Sequence, residues 1–353
     1  MTAACLSAGY RAYVGCRTTA ERNARGQGIA MFQVSPQGIW SEHHTTAAGA
    51  NPSFLCLHPG GRMLYAVHGD GDAVSAFAVE ATDGRLRPQG THSVDGRNPV
   101  HLCLSPDVRW LLVACYATGS VSSLAVREGG RLGPLASRLA LPGEPGPVAA
   151  QQQGSHPHQV VFDPTGRWLL VPDKGTDRLH TLTLDGATGA LAWVSCAALP
   201  PGSGPRHLAF TRDGRRLYLA CELGSAVAAC DFDARTGAPT SVASWSTLAE
   251  AVPGNTAAGI VLSGDERTLY VSNRGHDSIA TFRVDPVSGR LAPSGWLASG
   301  GSTPRFIAGD PMGGVLVANE DSDALCRVAG TAAPSPLART GSPVCVVFTK
   351  DLS

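Results

Sequence analysis

One short pattern, a proline followed by five largely apolar residues, returns seven times along this chain, and no other property restricts its fold as tightly. The copies begin at Pro52 (PSFLCL), Pro99 (PVHLCL), Pro157 (PHQVVF), Pro205 (PRHLAF), Ala257 (AAGIVL, alanine replacing the proline), Pro304 (PRFIAG) and Pro343 (PVCVVF). They stand 39 to 58 residues apart. Self-similarity at this period means stacked units, each unable to bury its apolar face alone. The unit is clearest from Gly204 to Asp233. A strand from Arg206 to Thr211 meets the turn Arg212-Asp213-Gly214, and a second strand runs from Arg216 to Cys221. After the turn Glu222-Leu223-Gly224-Ser225 comes a third, from Ala226 to Phe232, with a fourth near Ser241 to Ser246. Short apolar runs bounded by Gly, Asp and Ser read as antiparallel hairpins. Four strands per repeat and seven repeats predict an all-β protein, a seven-bladed β-propeller with four-stranded antiparallel blades.

The copy at Pro343 has almost no chain after it, so its remaining strands must come from the other terminus. Arg11 to Gly15, Gly28 to Val34 and Gly38 to His43 supply three. The ring is therefore expected to close by pairing N- and C-terminal strands, residues 10–45 with 342–348, which makes 1–353 a single domain without free sheet edges. The longest interval holds PGEPGPVAAQQQGSHP, whose Pro, Gly and Gln content predicts a surface loop over residues 142–155. The tryptophans fall at strand positions and are expected to pack between blades.

The 28 basic residues balance 28 acidic ones, and only 16% of the chain is charged, which argues against a nucleic-acid or membrane-surface partner. The start, MTAACLSAGYR, lacks a basic segment followed by an apolar one. No apolar run reaches the roughly 20 residues that span a bilayer. A soluble, cytoplasmic monomer is expected. The cysteines show no zinc or thioredoxin spacing and read as buried thiols.

In an up-and-down blade, the start of the first strand and the end of the second share one end of a hairpin. Seven blades therefore yield two rings of residues around one mouth of the central channel. The first ring follows the recurring proline: Ser53, Val100, His158, Arg206, Ala258, Arg305 and Val344. The second lies past each second strand: Arg17, Gly69, Tyr116, Lys174, Glu222, Arg274 and Glu320. Arg206, Arg274, Arg305 and Lys174 would make a cationic pocket suited to a small carboxylate or phosphate. His158 and Glu222 are its proton carriers. His156, Asp173 and His276 stand close enough in sequence to join them as substrate-binding residues. His156 and His158 could face a zinc ion, but no third ligand of suitable spacing accompanies them, so neither metal nor cofactor is expected. Cys16, Cys115 and Cys221 end equivalent strands, where small apolar filler is a simpler role than a thiol nucleophile.

These segments also resemble a known family. YVG at Tyr13, HPHQVVFDPTG from His156, VPDKGTDR from Val171, GPRHLAF from Gly204, SNRGHDSIATFRVDP from Ser272, TPRF from Thr303 and SPVCVVF from Ser342 are similar to the seven-bladed lactonase family. That family groups propeller-type bacterial 6-phosphogluconolactonases with fungal carboxy-cis,cis-muconate cyclases. The resemblance implies an active site of one His, two Arg and one Glu, matched here by His158, Arg206, Arg274 and Glu222. Where the family often has Asn, this chain has Cys115 and Cys221.

Two chemistries fit the pocket. A metal-independent lactonase would hydrolyse an anionic sugar-acid lactone such as 6-phosphogluconolactone. A muconate-type cycloisomerase would form or open a carboxylated lactone with the same residues. A non-catalytic propeller scaffold and a six-bladed calcium-dependent gluconolactonase fit less well, because the charged ring faces inward and the repeats number seven.

Overall fold

Alternation of short apolar runs with Gly- and Asp-centred turns gives the chain hairpins and almost nothing else. In the computed structural model, which describes residues 9–330 and 332–350, the strands form seven four-stranded antiparallel sheets in up-and-down order. The reading of the N-terminal MTAACLSA, and Thr331 in the link after blade six, lie outside the described residues. The repeat read from Gly204 onward consists of strands Pro205–Phe210, Arg216–Cys221, Ala226–Asp233 and Ala238–Ser246. Ring closure is as expected: Pro343–Lys350 pairs with Tyr10–Cys16, which pairs with Ile29–Val34, then Trp40–Thr46. No helix among the described residues is long and apolar enough to cross a membrane.

The core lies between the faces of neighbouring blades. Tyr65, Val67 and Val74 of blade one, for example, pack on Leu102, Leu111 and Val113 of blade two. An aromatic residue on the second strand then fastens each of five blades to the next. Tyr13 donates to the Gly84 carbonyl at 2.6 Å, Tyr65 to Gly130 at 2.6 Å and Tyr218 to Gly289 at 2.9 Å. Trp110 donates to Gly186 at 3.0 Å and Trp168 to Ala234 at 2.7 Å, which gives two tryptophans the expected role between blades. Trp193 and Trp296 sit instead on outer strands, 43% and 40% exposed. Each clasp turns an amphipathic side chain into both packing area and a satisfied buried carbonyl. Tyr218→Phe should therefore lower stability by about 1–2 kcal/mol, read from the denaturant midpoint at unchanged m-value.

One irregularity recurs and matters for function. Pairing of first and second strands breaks just after the recurring proline, so that one residue of the first strand is left without a partner. Pro205 pairs with Cys221 and His207 with Ala220, skipping Arg206. Ser53, Val100, Arg305 and Val344 are skipped in the same way. These are β-bulges, which bend the strand and re-aim the extra side chain. Proline suits the preceding position because the innermost strand needs no ladder donor on its channel side. Blade three shows the effect in its strongest form. The expected strand from Pro157 shrinks to Val161–Phe162, with a lone bridge between Pro157 and Asp173, and His158 lies in the gap.

Candidate active site

The bulges put the first ring of side chains at the channel mouth. There they meet the second ring in a cavity of about 250 Å³ lined by Arg17, Arg22, Tyr116, His158, Glu222 and Arg305, among others. Below it the space narrows to about 20 Å³ beside Phe54, Arg206, His207 and Phe306. Phe54 lies 4.1 Å from His101 and 6.1 Å from both His207 and Phe306, between ring centroids. These aromatic rings form a floor under the cavity. All four occupy the position two after the recurring proline, so the repeat alignment that revealed the two rings could have revealed the floor as well.

Glu222 is the hub of the cavity wall. Its Oε1 is 2.8 Å from Lys174 Nζ, and its Oε2 is 3.0 Å from Arg206 Nε and 3.1 Å from Arg274 Nη2. Burial opposes ionisation, yet Arg274, Lys174 and Arg206 together hold this carboxyl well below the ordinary range. The Arg206 Nε contact is an ion pair without hydrogen-bond alignment, while Arg206 Nη1 donates to the Ala258 carbonyl at 3.0 Å. A second carboxylate, Glu320, accepts from Arg17 Nε at 2.8 Å and lies 3.7 Å from Arg305 Nε. Burial, then repulsion from Arg17, pushes Arg305 down to about 10.

His158 is buried, with its ring edge-on to Tyr116 and to His207. Its Nδ1 has no hydrogen-bond partner among the described residues. Burial, reinforced by Arg206, Arg305 and Lys174, keeps its pKa well below the ordinary imidazole value. The result is a neutral imidazole among cations, a proton acceptor that neighbouring positive charge has not already protonated. Thiol chemistry has no comparable support, because burial pushes Cys16, Cys115 and Cys221 each up to about 12.

Of the residues singled out in the sequence, His158, Arg206, Glu222, Arg274, Lys174 and Arg305 converge here. Three others do not line the cavity. His156 stacks flat on Tyr116 at 4.4 Å and contacts its carbonyl through Nδ1 at 2.9 Å, so it props the ring that forms the wall. Asp173 is wholly buried and accepts from the Gly175 and His156 amides, shaping the turn that presents Lys174. His276 is exposed beyond Arg274, its Nδ1 2.7 Å from the Ser278 hydroxyl. Three lining residues lie outside the two rings: Asn98, which directly precedes Pro99, and two that belong to loops. Arg22 ends the 3₁₀ turn Ala20–Arg22, and Gln151 sits in the long interval, where its Oε1 accepts from Lys174 Nζ at 2.9 Å. That loop is tied down by Gln152, whose amide donates to the Lys174 carbonyl and to Asp177. No group of three His, Cys, Asp or Glu able to hold a metal ion occurs among the described residues.

The sequence profile of the family described as "Lactonase, 7-bladed beta-propeller" matches residues 11–348. The chain belongs to the seven-bladed lactonase family. Among relatives of this lactonase-family chain, the 6-phosphogluconolactonase of Bacillus subtilis (strain 168) is 31% identical over 350 residues, covering 96% of this chain and 98% of that protein. A periplasmic gluconolactonase of Pseudomonas aeruginosa has a similar structure, with a TM-score of 0.85 and 31% identity over 97% of this chain and 99% of that one. A Lactobacillus plantarum protein superposes with a TM-score of 0.87 at 28% identity, covering 97% of this chain and 99% of that one.

Proposed function

We propose that this lactonase-family protein hydrolyses an anionic sugar-acid lactone, 6-phosphogluconolactone foremost, in the central channel mouth and without a metal ion. The observation that carries the reading is the cation excess. Arg17, Arg22, Lys174, Arg206, Arg274 and Arg305 surround one small cavity, with Asp70, Glu222 and Glu320 as counter-charges. Such an arrangement favours a ligand that supplies negative charge. The name of the Bacillus subtilis relative supports the phosphorylated lactone.

The geometry supports a general-base hydrolysis. A water molecule beside His158 attacks the lactone carbonyl carbon while the imidazole takes its proton. Negative charge then develops on the carbonyl oxygen, and a guanidinium from Arg206 or Arg274 stabilises it. One such donor is commonly worth about 10²–10³ in rate. The ring C–O bond breaks, and the imidazolium returns its proton to the departing oxygen, leaving the hydroxy acid. Glu222, held by three cations, is a poor proton acceptor and instead fixes those cations in place. Purified protein should hydrolyse 6-phosphogluconolactone well above the uncatalysed rate, and prior treatment with EDTA should not change that rate. Loss of the phosphorylated lactone at the uncatalysed rate, with turnover of carboxylated muconates instead, would transfer the site to the cycloisomerase reaction. Turnover abolished by chelation would refute the metal-free mechanism.

A further inference from the structure

The charges at the mouth are not spread evenly. In a ring of seven, blade three faces the boundary between blades six and seven. His158 and Lys174 belong to blade three, with Arg206 and Glu222 next to them in blade four. On the far side stand Arg305 of blade six and Arg17 of the closing blade, with Arg22 in the loop joining that blade's strands. Between the two groups, on blades one and two, the rings carry Ser53, Gly69, Val100 and Tyr116, none of them charged.

The two cationic groups are also held differently. Lys174, Arg206 and Arg274 all lie within about 3 Å of the Glu222 carboxylate, and each is largely buried. On the opposite side, Arg305 touches a carboxylate only at 3.7 Å, through Glu320, whose other oxygen is taken by Arg17 at 2.8 Å. The Arg305 guanidinium nevertheless lines both the cavity and the constriction beneath it. Arg22 lies above, paired through two nitrogens with Asp70 and 43% exposed, so it can exchange that partner for a ligand at little structural cost.

We infer that the Arg17, Arg22 and Arg305 side of the mouth is a phosphate subsite, which orients a phosphorylated lactone with its carbonyl toward His158 across the neutral sector. This rests on the lactonase reading and adds the substrate's direction and the residues that select it. The three guanidiniums offer planar donor pairs to the three terminal oxygens of a phosphate monoester, which a lone hydroxymethyl group could not use. The neutral wall of Val100 and Tyr116 leaves room for the uncharged sugar ring between the two ends. Arg305, lacking a close carboxylate, is the anchor, and Arg22 closes over the anion from the rim.

The test compares 6-phosphogluconolactone with unphosphorylated glucono-lactone, using wild type, Arg22→Ala and Arg305→Gln. Arg22 is exposed, so its variant folds whatever the fate of the buried one. Losing one charge-assisted pair should raise KM for the phosphorylated lactone by about 10- to 100-fold, with kcat changed far less. The preference for the phosphorylated over the unphosphorylated lactone should fall by a similar factor. In parallel, binding of inorganic phosphate is measured by calorimetry, and each variant should need about tenfold more phosphate than wild type. Unchanged preference together with unchanged phosphate affinity in both variants would overturn the subsite. If wild type hydrolyses neither lactone, the lactonase reading fails, and the phosphate titration still judges the subsite on its own.

Discussion

His158→Ala should lower kcat on the lactone by about 10²–10⁴-fold while leaving KM within a few-fold, the loss typical of a removed general base. Among the described residues that line the upper cavity, this imidazole is the titratable base that is neither locked in an ion pair nor, at neutral pH, protonated. Burial and the cations Arg206, Arg305 and Lys174 hold its pKa well below the ordinary value of about 6.5. The acid limb of kcat/KM should therefore lie well below pH 6.5. When a doubly negative substrate binds, it offsets those cations, so the limb seen in kcat should shift upward relative to that in kcat/KM. A His158→Ala enzyme of normal turnover would remove the proposed mechanism, and an acid limb centred near pH 6.5 in the free enzyme would contradict the environment described for this ring.

The same burial has a consequence for stability. His101, held down to about 3, together with His158 and His207, binds fewer protons in the folded state than in the unfolded one below about pH 6.5. Stability should thus fall as pH drops from there toward the folded-state values. Each histidine contributes up to about 1.4 kcal/mol per pH unit. His158→Gln should flatten that slope by roughly one such contribution.

Glu222→Gln should destabilise the protein by about 3–5 kcal/mol and also abolish most activity. Three cations lie within hydrogen-bonding or ion-pair distance of that carboxylate, and removing it leaves them buried and mutually repelling. Because its folded pKa is depressed, the carboxylate's contribution is fully present above about pH 4.3 and is lost only as pH falls through the much lower folded value. The gap between variant and wild type in chemical denaturation should therefore persist from pH 7 down to pH 4. A gap under about 1 kcal/mol at pH 7 would show that the cations do not depend on this residue. Added phosphate should recover part of the loss in the variant, since an anion in the cavity can replace the missing counter-charge.

How far the sequence goes is best seen residue by residue. The recurring proline and the turns after it are local signals, so strand number, blade number and closure through Pro343–Lys350 could all be read directly. Alignment of equivalent positions is enough to bring His158, Arg206, Glu222, Arg274, Lys174 and Arg305 together, because a closed ring forces equivalent positions to one mouth. Sequence spacing alone could not say which way a side chain points. His156 and His158 stand two apart, yet the broken first strand of blade three sends one ring onto the face of Tyr116 and leaves the other lining the cavity. Asp173 adjoins Lys174 but turns into the blade, where its carboxylate serves backbone amides. Arg22 and Gln151 reach the site from loops whose positions follow no repeat.

The chain's own periodicity therefore determined the architecture and the identity of most of the charged mouth, since both depend on patterns repeated within about 50 residues. Tertiary structure alone decided the bulges that aim the first ring and the pairing of three cations on Glu222. Those features depend on contacts between blades far apart in sequence, and on the one unpaired residue in five of the first strands, which no composition or spacing encodes.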